Sequence, residues 1–590
     1  MKVPMKDNVT PAISAEEHAR RTATQFDSRL HAALAKASSG LSPISLALAG
    51  MDWALHLASQ PAQVARLATA AQQSALHWWA DTLHNRPEDD NDPRFLHPGW
   101  KHWPWAPVVH AYHEAEAWWD DATRLRGMEP HHQEMARFYA RQWLDMLSPS
   151  NTGLWGNPEV RERTRETLGS NLVNGWINAL DNWRQQHGLA PVRPSEHEYR
   201  PGRDVAITPG RVVHRNHLTE LLQFSPTTAS VQREPVFIVP SWIMKYYILD
   251  LSPQNSFVKW LTDQGHTVFI LSWRNPDETD ALLDMADYLH EGVFDNLAAI
   301  KALVPDAEAV HACGYCLGGT LLSIAAAALS RPGQIEQAHL LPALKTVTLL
   351  AAETDFTEPG EMGVLIDESQ VSLLEDMMAE RGFLSGPQMG GAFQYLHSRE
   401  LVWSQALREL WLGENEHPND LMAWNSDTTR MPAVMHSEYL RRCYLRNELA
   451  EGRFPVEGRA VSLADIRVPM FVVGTEKDHV SPWKSVYKIH RLADTEITFV
   501  LTSGGHNAGI VSEPGHPNRH YAMLTRPADG PWLTCGDWQA QAMPQDGSWW
   551  TAWHQWLIGH GSGTVPGRLP LEDEALGPAP GHYVHQHYLD

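Results

Sequence analysis

Six short apolar runs in the second part of the chain constrain its fold more than any other feature of the sequence. They lie at residues 235–240, 266–273, 309–315, 346–352, 469–475 and 497–505. Each run is apolar on both faces, and segments long enough for helices separate the runs. Strands of this kind, alternating with helices, are typical of a parallel sheet that helices cover on both sides. The sequence therefore predicts an α/β fold from about residue 200 onward.

The N-terminal part of the chain has a different pattern, with helical spacing of apolar side chains and little indication of strands. Apolar residues recur at steps of three and four in residues 134–147 and again in residues 172–183. We expect a helical N-terminal domain over residues 1–200 and an α/β domain over residues 201–590. Residues 355–460 interrupt the alternation, so we expect them to form an insertion over the carboxyl edge of the sheet.

The composition argues against several classes of protein. Lys and Arg total 47 against 70 Asp and Glu, and no basic cluster typical of nucleic-acid binding stands out. No apolar run approaches the roughly 18 residues of a membrane-spanning helix. The N-terminal residues lack the apolar core of a signal peptide, and the chain has only four cysteines. We therefore expect a cytoplasmic protein in a reducing compartment, without a transmembrane segment or a nucleic-acid partner.

Tryptophan is frequent, with 25 residues, and several are adjacent in the chain, as at positions 78–79, 118–119 and 549–550. Indole rings suit both a densely packed core and a surface with one wet side. Two interpretations therefore remain open: packing within and between the domains, or an apolar surface for a partner.

The segment Gly314-Tyr315-Cys316-Leu317-Gly318-Gly319 lies between a predicted strand and a predicted helix. This context is that of the nucleophile elbow of α/β-hydrolases, in which glycines around a strained nucleophile let strand and helix approach closely. Cys313 and Cys316 also form a CxxC pattern, but no second CxxC or paired-histidine motif completes a zinc site. We therefore predict an α/β-hydrolase fold with Cys316 as the nucleophile and without a metal site.

An elbow nucleophile requires a carboxylate and a histidine base, which follow it along the chain in that order. Asp478 follows the apolar run 469–475, and His506 follows the last run. Parallel strands deliver active-site residues at their carboxyl ends, so these positions suit the acid and the base. Glu476 is a competing carboxylate, and we expect His479 to be a neighbour of the site.

A cysteine nucleophile favours acyl transfer over hydrolysis, although cysteine hydrolases remain an alternative. A thiolate that attacks a thioester exchanges one thioester for another, so the acyl group stays activated for transfer. The substrate predicted from the residues is therefore an acyl thioester.

Backbone N–H groups should stabilise the oxyanion of such a reaction. The candidates are Leu317, directly after the nucleophile, and Trp242 or Ile243, in the loop after the first apolar run. Alternatively, the segment after residue 240 is only the start of a helix that packs on the sheet.

Seven motifs of the chain resemble those of the class I polyhydroxyalkanoate (PHA) synthases. The motifs are long and occur in order, and with GSWWTAWHQWL and the terminal PAPGHYV the resemblance extends over roughly residues 100 to 585, so it is specific. They are PSWIMKYYILDLSPQNSFVKWL (240–261), QGHTVFILSWRNPDE (264–278), GYCLGGT (314–320), WNSDTTRMP (424–432), YLRNELAEGRF (444–454), GTEKDHVSPW (474–483) and SGGHNAGIVSEPG (503–515).

The resemblance implies polymerisation of (R)-3-hydroxyacyl-CoA into a polyester with release of CoA, without a metal or an added cofactor. Cys316, Asp478 and His506 match the catalytic residues of that family. There the histidine deprotonates the thiol and is proposed to activate the 3-hydroxyl group that attacks the acyl-enzyme. Residues 355–460 correspond to the mobile cap of the family, and Cys313 has no role in this scheme.

The resemblance also implies partners and a location. Members of the family work at the surface of polyester granules in the cytoplasm and commonly form homodimers through the catalytic domain. Their N-terminal region is associated with granules and with partner proteins of the phasin type. The tryptophan clusters of this chain would serve such contacts.

Three functions remain open from the sequence. The first is a polymerase for short-chain substrates such as 3-hydroxybutyryl-CoA. The second is an intracellular polyester depolymerase or thioesterase, which would use the same triad with water as the acceptor. The third is a non-catalytic granule-associated protein, which the complete and correctly ordered triad disfavours.

Overall fold

The computed structural model describes residues 26–35, 38, 40–84, 92–186, 189–193, 199–396, 402–414, 419–572 and 576–587. The N-terminal residues that lack a signal-peptide pattern lie outside these ranges. Within them, no helix is long and apolar enough to cross a membrane.

A ten-stranded sheet forms the centre of the described structure, in the order β1-β2-β4-β3-β5-β6-β7-β8-β9-β10. The strands are β1 Gly210–Arg215, β2 Thr219–Phe224, β3 Val236–Val239, β4 Val268–Trp273, β5 Ala309–Tyr315, β6 Ala343–Leu350, β7 Met470–Thr475, β8 Ile497–Thr502, β9 His520–Arg526 and β10 Met543–Asp546.

The six predicted runs correspond to strands β3 to β8. These six strands are consecutive in the sheet, and all pairings among them are parallel. Buried apolar clusters lie on both faces of the sheet. The predicted parallel sheet with two covered faces is therefore confirmed.

Four edge strands escaped the sequence analysis. β1 and β2 are antiparallel on one edge, and β9 and β10 are antiparallel on the other. Their sequences mix charged and polar residues with apolar ones, and all of β10 is exposed. Because these strands lie at the sheet edges, their residues do not form the apolar runs that marked the central strands.

Six principal helices lie before the sheet, and most begin with proline, which suits the first helical turn. Side chains of Ser42, Glu129 and Asn157 accept hydrogen bonds from the first N–H groups of three of them. The helices are α1 Pro43–Ser59, α2 Pro61–His84, α3 Trp105–Ala122, α4 Pro130–Met146, α5 Pro158–Glu166 and α6 Ser170–Gln186.

Arg94 connects several parts of this helical region. Its guanidinium group is 8% exposed and lies 2.6 Å from Asp92, 3.0 Å from Glu116 and 3.2 Å from Asp145. It also donates a 2.7 Å hydrogen bond to the hydroxyl of Tyr112. A charge this well buried is stable only because several carboxylates surround it.

Ten principal helices accompany the sheet. They are α7 Phe257–Asp263, α8 Asp295–Leu303, α9 Leu317–Leu329, α10 Glu368–Met378, α11 Gly386–Leu396, α12 Asp420–Asn425, α13 Ala433–Tyr439, α14 Trp483–Tyr487, α15 Cys535–Gln541 and α16 Trp549–His560. Helices α10 to α13 lie in the long segment between β6 and β7, where the insertion is predicted. The domain boundary near residue 200 and the limits of the insertion stay predictions.

The tryptophans divide between the core and the surface, and the interpretation as a partner surface stays a prediction. In α16, Trp549, Trp550 and Trp553 are at most 1% exposed and surround the ring of Phe257. In α6, by contrast, Trp176 is 75% exposed.

Helix α6 presents its polar face to the protein and its apolar face to the outside. Asn171 and Asn178 are buried and donate hydrogen bonds to backbone carbonyls of residues 409–414. Between them, a Cβ at Gly175 would overlap the carbonyl oxygen of Leu410. The helical period predicted for residues 172–183 is thus present, but the apolar side does not face a core.

We expect Arg94→Met to destabilise the helical region, because it removes the guanidinium group that pairs with the buried carboxylate of Asp145. Breaking a buried ion pair in this way costs about 3–5 kcal/mol. Urea unfolding followed by far-UV circular dichroism measures the change. Arg66→Met is the matched control, since the Arg66–Asp121 pair is exposed and contributes little. Equal effects of the two substitutions would contradict the role given to Arg94.

Candidate active site

Cys316 occupies a strained turn between β5 and α9. Its φ is 53° and its ψ is −125°, a conformation that costs a non-glycine residue free energy. Its N–H donates a 2.9 Å hydrogen bond to the carbonyl of Leu350 on β6. A Cβ at Gly314 would overlap Gly319, and a Cβ at Gly318 would overlap the carbonyl oxygen of Val239. These glycines are therefore required by the packing that holds the turn.

Asp478 and His506 meet at the carboxyl ends of β7 and β8. The distance between Nδ1 of His506 and Oδ2 of Asp478 is 2.8 Å. The same carboxylate oxygen accepts a 2.9 Å hydrogen bond from the hydroxyl of Thr475. The other oxygen accepts hydrogen bonds from the N–H groups of Val480 and Ser481, at 2.9 and 2.8 Å. Both oxygens are thus held, and the carboxylate fixes the orientation of the imidazole.

The three side chains form one electrostatic unit. Burial opposes charge on His506, but the Asp478 carboxylate and the Cys316 sulfur outweigh it and raise the pKa of His506 well above its ordinary value. Burial likewise opposes charge on Asp478, yet His506 and the hydrogen bonds to the carboxylate keep its pKa below the ordinary value. The Cys316 sulfur thus acts on the same imidazole as Asp478. Since Nδ1 faces Asp478, Nε2 is the nitrogen that remains for the sulfur.

The competing residues of the sequence analysis lie elsewhere. Glu476 is partly exposed and lies 3.2 Å from Nε2 of His520, not beside His506. His479 is exposed. Cys313 is fully buried in β5, and burial raises the pKa of its thiol well above the ordinary value. The structure therefore brings together Cys316, Asp478 and His506 among the predicted candidates.

Two of the three residues predicted as oxyanion donors line the same cavity as Cys316. Leu317 and Ile243 both line the cavity in front of the sulfur, whereas the indole of Trp242 packs between the rings of Tyr288 and Tyr439. The alternative for the segment after residue 240 was the start of a helix, and a short helix does begin at Tyr246. The assignment of Leu317 with Trp242 or Ile243 stays a prediction, and the cavity favours Ile243.

The cavity in front of Cys316 is small and mainly apolar, with a volume of about 60 Å³. Much of its wall comes from the segment between β6 and β7. Residues of that segment in the wall are Glu353, Phe356, Met362, Met389, Met431, His436, Tyr439, Leu440 and Tyr444.

Several residues around the site were missed from the sequence. The hydroxyl of Tyr315 donates a 2.6 Å hydrogen bond to Asn507, which connects the elbow to the histidine loop. Both residues are direct neighbours of predicted catalytic residues, and this was the signal available. Glu353 directly follows the apolar run 346–352, and this position at a strand end was its only signal. His436 gave no signal, because its position in the cavity depends on how the segment between β6 and β7 folds.

One group of side chains in the described residues has spacing suited to a metal ion: Asp92, His113 and Glu116. Arg94 forms ion pairs with both carboxylates of this group. The group is therefore the ion-pair network of the helical region, and its cation is a guanidinium.

The strand order, the elbow and the ordered triad define a protein of the α/β-hydrolase fold with a cysteine at the nucleophile position. The sequence profile described as "alpha/beta hydrolase fold" matches residues 234–513. Two further profiles match the preceding part of the chain. "Poly-beta-hydroxybutyrate polymerase N terminal" matches residues 21–63, and "Poly-beta-hydroxybutyrate polymerase (PhaC) N-terminus" matches residues 91–261.

Similar proteins identify the family. The chain is 36% identical to the poly(3-hydroxyalkanoate) polymerase of Methylorubrum extorquens, over 89% of this chain and 87% of the relative. It is 37% identical to the poly(3-hydroxyalkanoate) polymerase subunit PhaC of Rhizobium etli, over 85% and 78%. For the PhaC subunit of Cupriavidus necator the identity is 34%, over 77% and 76%. The chain belongs to the poly(3-hydroxyalkanoate) polymerase family, which confirms the resemblance, and it is an acyltransferase.

We expect Asp478→Asn to slow alkylation of Cys316 by iodoacetamide at pH 7, on the order of tenfold, and to move the rise of that rate to higher pH. Loss of the carboxylate lowers the pKa of His506, so less imidazolium is present to stabilise the reactive thiolate. Peptide mass spectrometry measures the rate, with Cys535 as an internal reference.

Glu476→Gln is the matched control for this experiment, because it removes a nearby carboxylate that does not contact His506. It should leave the pH dependence of alkylation unchanged. A shift with Glu476→Gln and none with Asp478→Asn would mean that Glu476 is the acid of the site.

Proposed function

We propose that this chain polymerises short-chain (R)-3-hydroxyacyl-CoA, such as 3-hydroxybutyryl-CoA, through an acyl thioester on Cys316. The observation that carries the proposal is the position of Cys316 on the elbow, next to the His506–Asp478 pair, in a member of this family. The products are polyhydroxyalkanoate and free CoA.

In the first half of the reaction, His506 takes the proton of the Cys316 thiol, and the sulfur attacks the thioester carbonyl of the substrate. The N–H groups of Leu317 and Ile243 stabilise the resulting oxyanion. The bond between carbonyl carbon and CoA sulfur then breaks, and the departing thiolate takes the proton from His506. Asp478 stabilises the imidazolium between these two proton transfers.

In the second half, His506 removes the proton from the 3-hydroxyl group of an acceptor. The hydroxyl oxygen attacks the acyl thioester, an ester bond forms, and the bond to the Cys316 sulfur breaks. The thiolate and the protonated His506 are thereby restored. The thioester substrate supplies the activation for each step, so the proposed reaction requires no metal and no added cofactor.

The main rival is hydrolysis of the same acyl-enzyme by a depolymerase or thioesterase. Transfer to a hydroxyl group requires that water reach the thioester less readily than the acceptor does. The small cavity and its methionine, phenylalanine and leucine side chains support transfer. The third function, that of a non-catalytic granule protein, would not require the three side chains of the triad to be aligned.

With (R)-3-hydroxybutyryl-CoA, we expect CoA release to be matched by insoluble polyester. Cys316→Ala should lower the rate by at least about 10³-fold, because the nucleophile is absent. Thiol titration and separation of polymer from free 3-hydroxybutyrate measure both products. Cys313→Ala is the matched control and should retain activity, since Cys313 is buried in β5. CoA release matched by free acid would identify a thioesterase, and activity in Cys316→Ala would refute the acyl-cysteine.

We further propose that the protein works in the cytoplasm at the surface of polyester granules, where it forms homodimers and contacts phasin-type proteins. The exposed side of α6 supports the granule contact, with Val173 61%, Trp176 75% and Leu180 42% exposed. Nearby, Trp155 is 90% exposed. An apolar surface of this kind suits a polyester surface.

The double substitution Trp176→Gln, Leu180→Gln should weaken binding to polyhydroxybutyrate particles at least about tenfold, because each apolar side chain contributes roughly 1.5–3 kcal/mol when buried. Co-sedimentation with the particles measures binding, and CoA release from soluble substrate should stay unchanged. Trp532→Gln, an exposed tryptophan beside Arg491, is the control. If the control weakens binding equally, the contact is not specific to α6.

A further inference from the structure

Two polar side chains are buried in the wall of the Cys316 cavity without a partner on one of their polar atoms. Glu353 is 4% exposed, and its Oε1 has no hydrogen-bond partner among the described residues. His436 is 5% exposed, and the same holds for its Nδ1. Buried polar atoms are nearly always paired, so two such side chains in the wall of one cavity indicate that its occupant supplies the partners.

The position of Glu353 follows from the strand before it. Three residues after the end of β6, its backbone carbonyl accepts a 2.7 Å hydrogen bond from the hydroxyl of Thr320 on α9. Two residues earlier, Ala351 donates a 2.8 Å hydrogen bond to Val473 on β7. Glu353 is thus held at the carboxyl edge of the sheet, on the same edge as Cys316.

Both side chains are held in uncharged forms. Burial, the Asp478 carboxylate and the Cys316 sulfur raise the pKa of Glu353 well above its ordinary value. Burial lowers the pKa of His436 to about 4. The cavity therefore offers a neutral carboxyl group and a neutral imidazole, which can donate and accept hydrogen bonds without adding charge near the thiolate.

The proposed acyl group has two oxygens that require partners in this cavity. The carbonyl oxygen faces the N–H groups of Leu317 and Ile243. The oxygen on carbon 3 is a hydroxyl in the monomer and an ester oxygen in the growing chain. The remaining wall near it is mostly apolar, with residues such as Phe356, Met389 and Leu440.

We propose that Glu353, together with His436, is a positioning and specificity-determining residue that hydrogen-bonds the oxygen on carbon 3 of the acyl group held by Cys316. This inference rests on the proposed function. An acyl group without that oxygen leaves the carboxyl group unpaired, which is the condition under which a site rejects an analogue most strongly.

The test compares acylation by (R)-3-hydroxybutyryl-CoA and by butyryl-CoA, which lacks the oxygen on carbon 3. With enzyme in molar excess, CoA release reports formation of the acyl-enzyme alone. The wild type should prefer the hydroxylated substrate. Glu353→Leu should lower this preference at least about tenfold, because it removes the hydrogen-bonding group. Glu353→Gln keeps a donor and an acceptor and should retain more of the preference.

Thr354→Val is the matched control, because Thr354 is also buried with an unpaired hydroxyl but does not line the cavity. It should leave the preference unchanged. Glu353→Leu should also leave the melting temperature unchanged or raise it, since it replaces an unpaired buried carboxyl group with an apolar one. If Glu353→Leu does not fold, Glu353→Met provides the same comparison.

The outcomes separate this inference from the proposed function. If the wild type releases no CoA from either substrate, the proposed function fails and the inference fails with it. If the wild type is acylated but shows no preference, or if Glu353→Leu retains the full preference, only the inference is overturned. A lower melting temperature with an unchanged preference would assign Glu353 a purely structural role.

Discussion

The close contact of α9 with the ends of β3 and β5 is the constraint on which the rest of the site depends. Gly314 packs against Gly319, and Gly318 packs against the carbonyl of Val239, so no side chain fits at these glycines. The contact forces Cys316 into its strained conformation and places its sulfur at the carboxyl edge of the sheet. Strain of this kind persists because the surrounding strands and helix determine the backbone position completely.

The histidine side of the site is supported from the opposite face of the sheet. The indole N–H groups of Trp549 and Trp550 donate hydrogen bonds to the carbonyls of Gly509 and Ile510, in the loop that follows His506. The tryptophans of α16 therefore support the candidate site as well as the core, because they hold the loop that carries His506. Rigid support of this kind keeps a catalytic side chain within reach of its partners.

The segment between β6 and β7 and the helical region give the site its surroundings. The segment between β6 and β7 lines the cavity with apolar side chains and also supplies its unpaired polar groups. Helix α6 rests on this segment through Asn171 and Asn178, and its apolar side faces outward. The polar contacts thus attach the helix to the protein, while the apolar side chains of its other side stay exposed.

The sequence by itself determined the central strands, the elbow and the order of Cys316, Asp478 and His506. These features depend on local patterns: apolar runs buried on both faces, and glycines at fixed distances from a nucleophile. Only the tertiary structure decided that Asp478 rather than Glu476 contacts His506, that the apolar side of α6 faces outward, and that His436 lies in the cavity. The physical reason is that orientation, burial and hydrogen-bond partners arise from contacts between segments far apart in the chain, which no local pattern records.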